Sequence, residues 1–127
     1  MPPKLGAIIP IFRIFDEAKA REFYCGFLGF EVEFEHRYQE DFPIFMGIKH
    51  GDCRLYLSEH NGDGSPGASI RLRVEGLAEY HAELLAKQYK YARPGLEDNG
   101  FGDWDMSLAD PFGNRLTFWE PKAPEPA

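Results

Sequence analysis

The first half of the chain places short apolar runs around one stretch of strong helix formers. Residues 7–15 are rich in Ile and Phe and predict a β-strand, with Asp16 following as a candidate N-cap. Residues 17–24 then favour a helix, which Gly26 and Gly29 are expected to end. Three strand-like runs come next, at residues 31–38, 42–49 and 53–59. The predicted order is therefore one strand, one helix and three strands.

The same order returns after a stretch of turn-forming sequence. Residues 60–67 read HNGDGSPG and predict a linker. Beyond them, residues 69–74 alternate as a strand, and a second helix is expected from Gly76-Leu77 to about residue 88. Extended segments are predicted at residues 89–93, 104–109 and 115–119, and the last two are joined by a turn at residues 110–114.

This internal repeat of roughly sixty residues predicts an α+β protein made of two βαβββ modules. We expect a single domain over residues 1–127, because that length suits one hydrophobic core. Module one covers about 7–59, the linker 60–67, module two about 68–120 and a C-terminal tail 121–127. Such modules place helices on one side of the sheets and a concave face on the other, which is the expected ligand site.

Composition restricts the partners of the protein. The formal net charge of -7 repels phosphate backbones, so nucleic acid is not an expected partner. No apolar run approaches the ~20 residues that span a bilayer, and the first residues carry no secretory signal. We therefore expect no membrane partner and a cytoplasmic location. The 15% aromatic content exceeds what a minimal core needs and favours a surface for a flat ligand.

Two short motifs resemble the signatures of a known superfamily. The pair FY at 23–24, followed by LGF at 28–30, is similar to the motif that closes the first helix in the glyoxalase, bleomycin-resistance and extradiol-dioxygenase (vicinal-oxygen-chelate) superfamily. The turn DPFGN at 110–114 resembles the superfamily's DPxGN turn before its last strand. The resemblance extends from about Ile8 to Glu120 and implies the paired glyoxalase/bleomycin-resistance fold.

Within that superfamily the chain is most similar to bleomycin-resistance proteins. The segment LYLSEH at 55–60 resembles the end of their first module, and FGDWDM at 101–106 stands where they have "WGxxEF", with Phe101 replacing the usual Trp. Pro10 lies six residues before Asp16, where relatives have a proline in a strand exchanged between subunits. The resemblance implies a strand-exchanged homodimer with ligand pockets at the subunit interface.

Enzymes of this superfamily hold a divalent metal with one residue, usually His or Glu, from each of four strands. Spacing to the motifs places these four positions at Ile9, Tyr56, Ser69 and Thr117. This set does not form a normal divalent site, and none of the four histidines falls at these positions. We expect no metal, no cofactor and no catalytic residue, and an enzyme is disfavoured.

Strand alternation selects side chains for the concave face. Leu55 and Leu57 face the core, which leaves Tyr56 on the other side of its strand. The candidate ligand-stacking residues are Phe42, Tyr56, Phe101, Trp104 and Trp119.

Charged candidates lie among these aromatic positions. Asp41, Asp103 and Asp105 are suited to hold cationic groups, and Arg71 is also assigned to the ligand site. Arginines on the concave face conflict with a cationic ligand such as bleomycin. Either they pair with carboxylates, for which the candidates are Glu35, Asp41, Asp103 and Asp105, or the ligand is anionic. A third interpretation, favoured for Arg54 and Arg115, is that they point outward at strand ends.

Three functions are consistent with the sequence. The first is a non-catalytic homodimer that sequesters an amphipathic small molecule of the bleomycin type and so confers resistance. The second is a glyoxalase-like lyase or a transferase that acts on an anionic small molecule. The third is a binding module for a metabolite that the sequence does not identify.

Overall fold

Each half of the chain folds into a four-stranded sheet with one helix, in a computed structural model that describes residues 2–122. The first half contains β1 (Ile11–Arg13), α1 (Glu17–Arg21), β2 (Glu31–Arg37), β3 (Ile44–His50) and β4 (Cys53–Ser58). The second contains β5 (Ser69–Arg73), α2 (Leu77–Ala86), β6 (Glu97–Asp98), β7 (Asp103–Ala109) and β8 (Arg115–Pro121). The predicted α+β class is confirmed.

The two sheets have the same topology. Sheet one has the order β1-β4-β3-β2 and sheet two the order β5-β8-β7-β6. In each sheet the first strand of the module is parallel to the last, and the other neighbours are antiparallel. One contiguous core lies between the inner faces of the sheets and the helices, and it includes Phe12, Leu57, Met106 and Phe118.

The first helix is longer than predicted and changes its pitch. After Arg21 it continues as a π-helical segment, Glu22–Phe27, and ends before Gly29, which has a φ of 87°. Phe23, Tyr24 and Phe27 of this segment are all buried in the core. The prediction that Gly26 ends the helix was therefore wrong, because Gly26 lies inside this segment.

Two predicted strands also differ from the structure. The first was expected over residues 7–15, but only Ile11–Arg13 pairs with β4. The expectation of an extended strand at 89–93 was wrong: no strand forms there, and the fourth pairing partner in sheet two is β6. The ring of Tyr89 instead packs on Phe27, with 4.6 Å between the ring centroids. Burial of this ring at the end of the first helix replaces strand pairing.

The FY motif at 23–24 and the DPFGN turn at 110–114 are in contact in the folded chain. The Tyr24 hydroxyl donates a 2.7 Å hydrogen bond to Asp110, across 86 positions of sequence. The same carboxylate accepts hydrogen bonds from the backbone N–H groups of Phe112 and Asn114 and from the Asn114 amide. Asn114 in turn donates to the carbonyl of Arg13 at the end of β1. This network, in which Asp110 and Asn114 are buried, joins the two modules.

No helix within residues 2–122 is long and apolar enough to cross a membrane.

Candidate functional site

Each sheet has one face that packs on the core and one face that points away from it, which we call the outer face. The outer face of sheet one carries a cluster of three aromatic rings. Phe34, Phe45 and Tyr56 contact one another, with ring centroids 5.3 to 6.1 Å apart. They stand opposite the core-facing residues of β3 and β4. Phe34 reaches this face because the register of β2 shifts between Val32 and Phe34, which sets Phe34 opposite Gly47. We call these three rings the aromatic cluster.

Gly47 provides the space in which the Phe34 ring lies. A Cβ atom at position 47 would overlap that ring. The ring is 37% exposed and can swing towards solvent, so a larger residue at this position would displace Phe34 rather than disrupt the sheet.

Replacing Gly47 with alanine is therefore expected to break the contact of Phe34 with Phe45 and Tyr56 at a stability cost of about 1 kcal/mol. The measurement is the ring-current shift of the Phe34 protons in NMR spectra, together with thermal unfolding. Gly26→Ala is the matched control, because its added Cβ meets no atom closer than 4.0 Å. Unchanged Phe34 shifts in the Gly47 variant would show that the aromatic cluster is not packed in this way.

The outer face of sheet two is centred on Trp119. Arg71 and Arg73 each place a guanidinium carbon 5.7 Å from the centroid of the indole ring, which is cation–π range. Arg73 lies directly opposite Trp119 on β5, and Asp105 lies opposite it on β7. A flat ring, two cations and a carboxylate are thus presented on one surface.

Asp105 is already occupied by protein donors. Both of its oxygens accept 3.1 Å hydrogen bonds from Arg71, and Asn99 adds a third at 3.2 Å. The hydrogen bonds from Arg71 hold the pKa of Asp105 below its usual range, against the opposing effect of burial. The expectation that arginines pair with carboxylates is met here, and this pairing leaves Asp105 less able to hold a ligand cation.

The other carboxylates considered as arginine partners are arranged differently. Glu35 pairs with Arg21 of α1, so its partner is not an arginine of either outer face. Asp103 accepts only a 3.4 Å hydrogen bond from Asn99 among side-chain donors within residues 2–122. It stays close to Asp105 as an unneutralised carboxylate of this face.

The structure brings only part of the predicted site together. Trp104 lies on the inner side of sheet two, where it lines a groove with Leu77, Ala78 and Glu120. It cannot share a face with Asp103 and Asp105, because neighbouring residues of a strand point to opposite sides. Placing Trp104 with the other candidates was wrong for this reason.

The remaining predicted residues lie in loops. Phe101 is 90% exposed in the turn between β6 and β7, with its backbone N–H bonded to Asn99. Asp41 and Phe42 lie in the connection from β2 to β3, beside Arg37 and Glu59. Neither loop is held against Trp119 or the aromatic cluster within one chain.

The positions that hold metal in enzymes of the superfamily do not fit a divalent ion here. The Tyr56 ring packs in the aromatic cluster, and the Thr117 hydroxyl forms a 3.0 Å hydrogen bond with Ser107. Ile9 offers no donor atom, and Ser69 offers only a neutral hydroxyl. Within residues 2–122, no group of three or more His, Cys, Asp or Glu side chains is placed to hold a metal.

Strand alternation already predicted Arg73 on the same face as Arg71, but sequence reasoning missed Phe34 and Phe45 as members of these surfaces. Alternation along β3 indicates Phe45, because Ile44 and Met46 face the core on either side of it. The same alternation would have placed Phe34 wrongly, because the register shift in β2 reverses its face.

Comparison with known proteins identifies the family of the chain. The family profile described as "Glyoxalase superfamily protein" matches residues 4–125. The chain belongs to the glyoxalase superfamily. The curated bleomycin resistance protein of Geobacillus stearothermophilus is 25% identical over 130 residues, covering 88% of this chain and 94% of the relative.

Solved structures of the superfamily show the same fold. A bleomycin resistance determinant encoded on the transposon Tn5 superposes with a TM-score of 0.72 at 24% identity, covering 94% of this chain and all of that chain. A bleomycin-binding protein complexed with bleomycin gives a TM-score of 0.70 at 22% identity, with 93% and 100% covered. TnmS3, an antibiotic binding protein from Streptomyces sp. CB03234, gives 0.67 at 19% identity, with 94% and 100% covered. These solved structures show that the chain has the fold of the superfamily.

Proposed function

We propose that this protein is a non-catalytic homodimer that sequesters a small molecule of the bleomycin type and so confers resistance. By this type we mean an amphipathic compound with a flat heteroaromatic part. The observation that carries the proposal is the exposure of aromatic rings on both outer sheet faces. The cluster of Phe34, Phe45 and Tyr56 offers one stacking surface. The indole of Trp119, with the guanidinium groups of Arg71 and Arg73 beside it, offers another.

Subunit pairing completes the proposed pocket. Leu5 is 88% and Ile8 90% exposed, and residues 2–10 form no strand within the chain. An apolar segment of this kind is stabilised when a second copy covers it. We propose that it pairs with the partner, and that the outer face of sheet one of one subunit then faces that of sheet two of the other.

Charge is compatible with an amphipathic ligand. Arg71 is neutralised by Asp105, and Arg54 by Glu33 through hydrogen bonds of 3.2 to 3.3 Å. The arginines seen in the sequence therefore do not make the outer faces uniformly positive. The net charge of -7 attracts cationic groups at longer range. Sequestration needs only tight binding, so the poor metal-donor set does not oppose this function.

The test is a calorimetric titration of the purified protein with metal-free bleomycin, combined with light scattering. We expect saturable binding of one drug per subunit, a negative heat-capacity change from apolar burial, and a particle of twice the 14.5 kDa chain mass. If no heat of binding is seen up to about 1 mM drug, the binding free energy is weaker than about -4 kcal/mol. That result would refute the bleomycin assignment. A monomeric particle would refute the shared pocket.

A further inference from the structure

Trp119 lies between two guanidinium groups that have different environments. Arg71 and Arg73 are equally distant from its ring, at 5.7 Å. Arg71 is fixed by the two-pronged hydrogen bonds to Asp105, which cross β8 from β5 to β7. Its charge is therefore cancelled on the surface that a ligand would touch.

Arg73 keeps its charge available. Within residues 2–122, no carboxylate lies within 4.0 Å of its guanidinium, and no side-chain hydrogen bond involves it. The side chain is exposed, and its guanidinium carbon lies over the Trp119 ring, 5.7 Å from the centroid. Five N–H donors in a planar fork next to a flat ring match the geometry of an acidic group attached to an aromatic system.

We propose that Arg73 determines ligand specificity by binding an anionic substituent, so that the ligand is a planar aromatic compound with a carboxylate or similar acidic group. This inference rests on the proposed binding function and restricts its amphipathic ligands to those with an acidic group. A cationic compound such as bleomycin is then expected to bind more weakly than an acidic aromatic compound. The aromatic part stacks over Trp119, and the acidic group lies over β5 at Arg73. A ligand without an acidic group leaves the guanidinium unused.

Arg115 serves as the comparison residue, because it is an arginine of the same face that lies away from Trp119 and Arg73. It is exposed at the start of β8 and lies on the same face, since residues 115, 117 and 119 share one side of the strand. Arg115 lies four positions before Trp119 along the strand, a distance of about 13 Å. Arg115 is therefore a matched control for a general effect of positive charge.

The experiment compares three probes with the same tricyclic ring and different charges. These are 9-anthracenecarboxylate, uncharged 9-anthracenemethanol and cationic 9-(aminomethyl)anthracene, each titrated calorimetrically into the full-length protein at pH 7.4. We expect the carboxylate to bind at least about tenfold more tightly than the cation, which is the effect of one charge-assisted hydrogen-bonded pair.

Substitutions then assign the preference to one residue. Arg73→Gln is expected to reduce the ratio of the two dissociation constants to about one, Arg73→Glu to invert it, and Arg73→Lys to keep most of it. Arg115→Gln is expected to leave the ratio unchanged. A ratio that survives Arg73→Gln, or a preference for the cation in the unmodified protein, would overturn the proposal.

The uncharged probe separates this inference from the function on which it rests. If all three probes bind with equal affinity, the binding function stands and the role of Arg73 is refuted. If none of the three binds, the role of Arg73 is refuted, and the separate titration with bleomycin decides the proposed binding function. Circular dichroism of each variant confirms that it is folded before its affinity is compared.

Discussion

Replacing Asp110 with alanine is expected to lower the free energy of unfolding by about 3–5 kcal/mol and the melting temperature by about 10–20 °C. The buried carboxylate accepts four hydrogen bonds, from Tyr24, Phe112 and twice from Asn114. Its removal leaves these donors without an acceptor in a site that excludes water. Thermal and urea unfolding measure the effect.

Two further substitutions test whether the loss of stability comes from the buried hydrogen bonds of Asp110. Tyr24→Phe removes a single donor and should cost only about 1–2 kcal/mol. Burial, followed by the charge of Asp110, raises the pKa of Tyr24 far above its usual value, so this hydroxyl keeps its proton at every working pH. Asp98→Ala is the exposed control, since that carboxylate pairs with Lys122 at the surface and should matter little. Equal losses at Asp98 and Asp110 would contradict the role of the network.

Replacing Trp119 with alanine is expected to weaken ligand binding by about 30- to 100-fold, the effect of losing a central aromatic contact. Trp119 presents the flat ring of the outer face of sheet two, flanked by Arg71 and Arg73. The dissociation constant of the variant is measured by calorimetric titration with the compound that binds the unmodified protein. Trp119→Phe keeps an aromatic face and should retain most of the affinity.

Trp104→Ala is the matched control for this prediction. Trp104 is the other tryptophan of the chain and lies on the opposite side of the same sheet, next to Leu77 and Glu120. The substitution is expected to leave the affinity within about twofold while reducing stability. Loss of binding in the Trp104 variant alone would place the ligand on the inner side and refute the assignment of the outer face.

Local patterns predicted much of the fold. The alternation of β4 and β8, the N-cap Asp16 and the turn at 110–114 are formed by neighbouring residues, so the sequence contains their whole signal. The internal repeat of these elements indicated two modules of equal topology. Motif resemblance then identified the superfamily, which the family profile confirms.

The prediction of the site residues was less accurate than that of the fold, because it required knowing which sheet face each residue of several strands occupies. Trp104 was grouped with Asp103 and Asp105 although strand alternation separates adjacent residues. That error could have been avoided from sequence. The face of Phe34 could not have been, because it depends on a register shift against β3 that no local pattern marks.

The sequence alone determined most of the elements, their order and the superfamily, whereas only the tertiary structure decided which charges and rings meet. Arg71 and Asp105 are 34 residues apart, and they pair because β8 lies between β5 and β7. Tyr24 and Asp110 meet because the first helix packs against the second module. A periodicity of two or of 3.6 residues is a property of the local backbone, but strand order and register depend on the free energy of packing the whole chain.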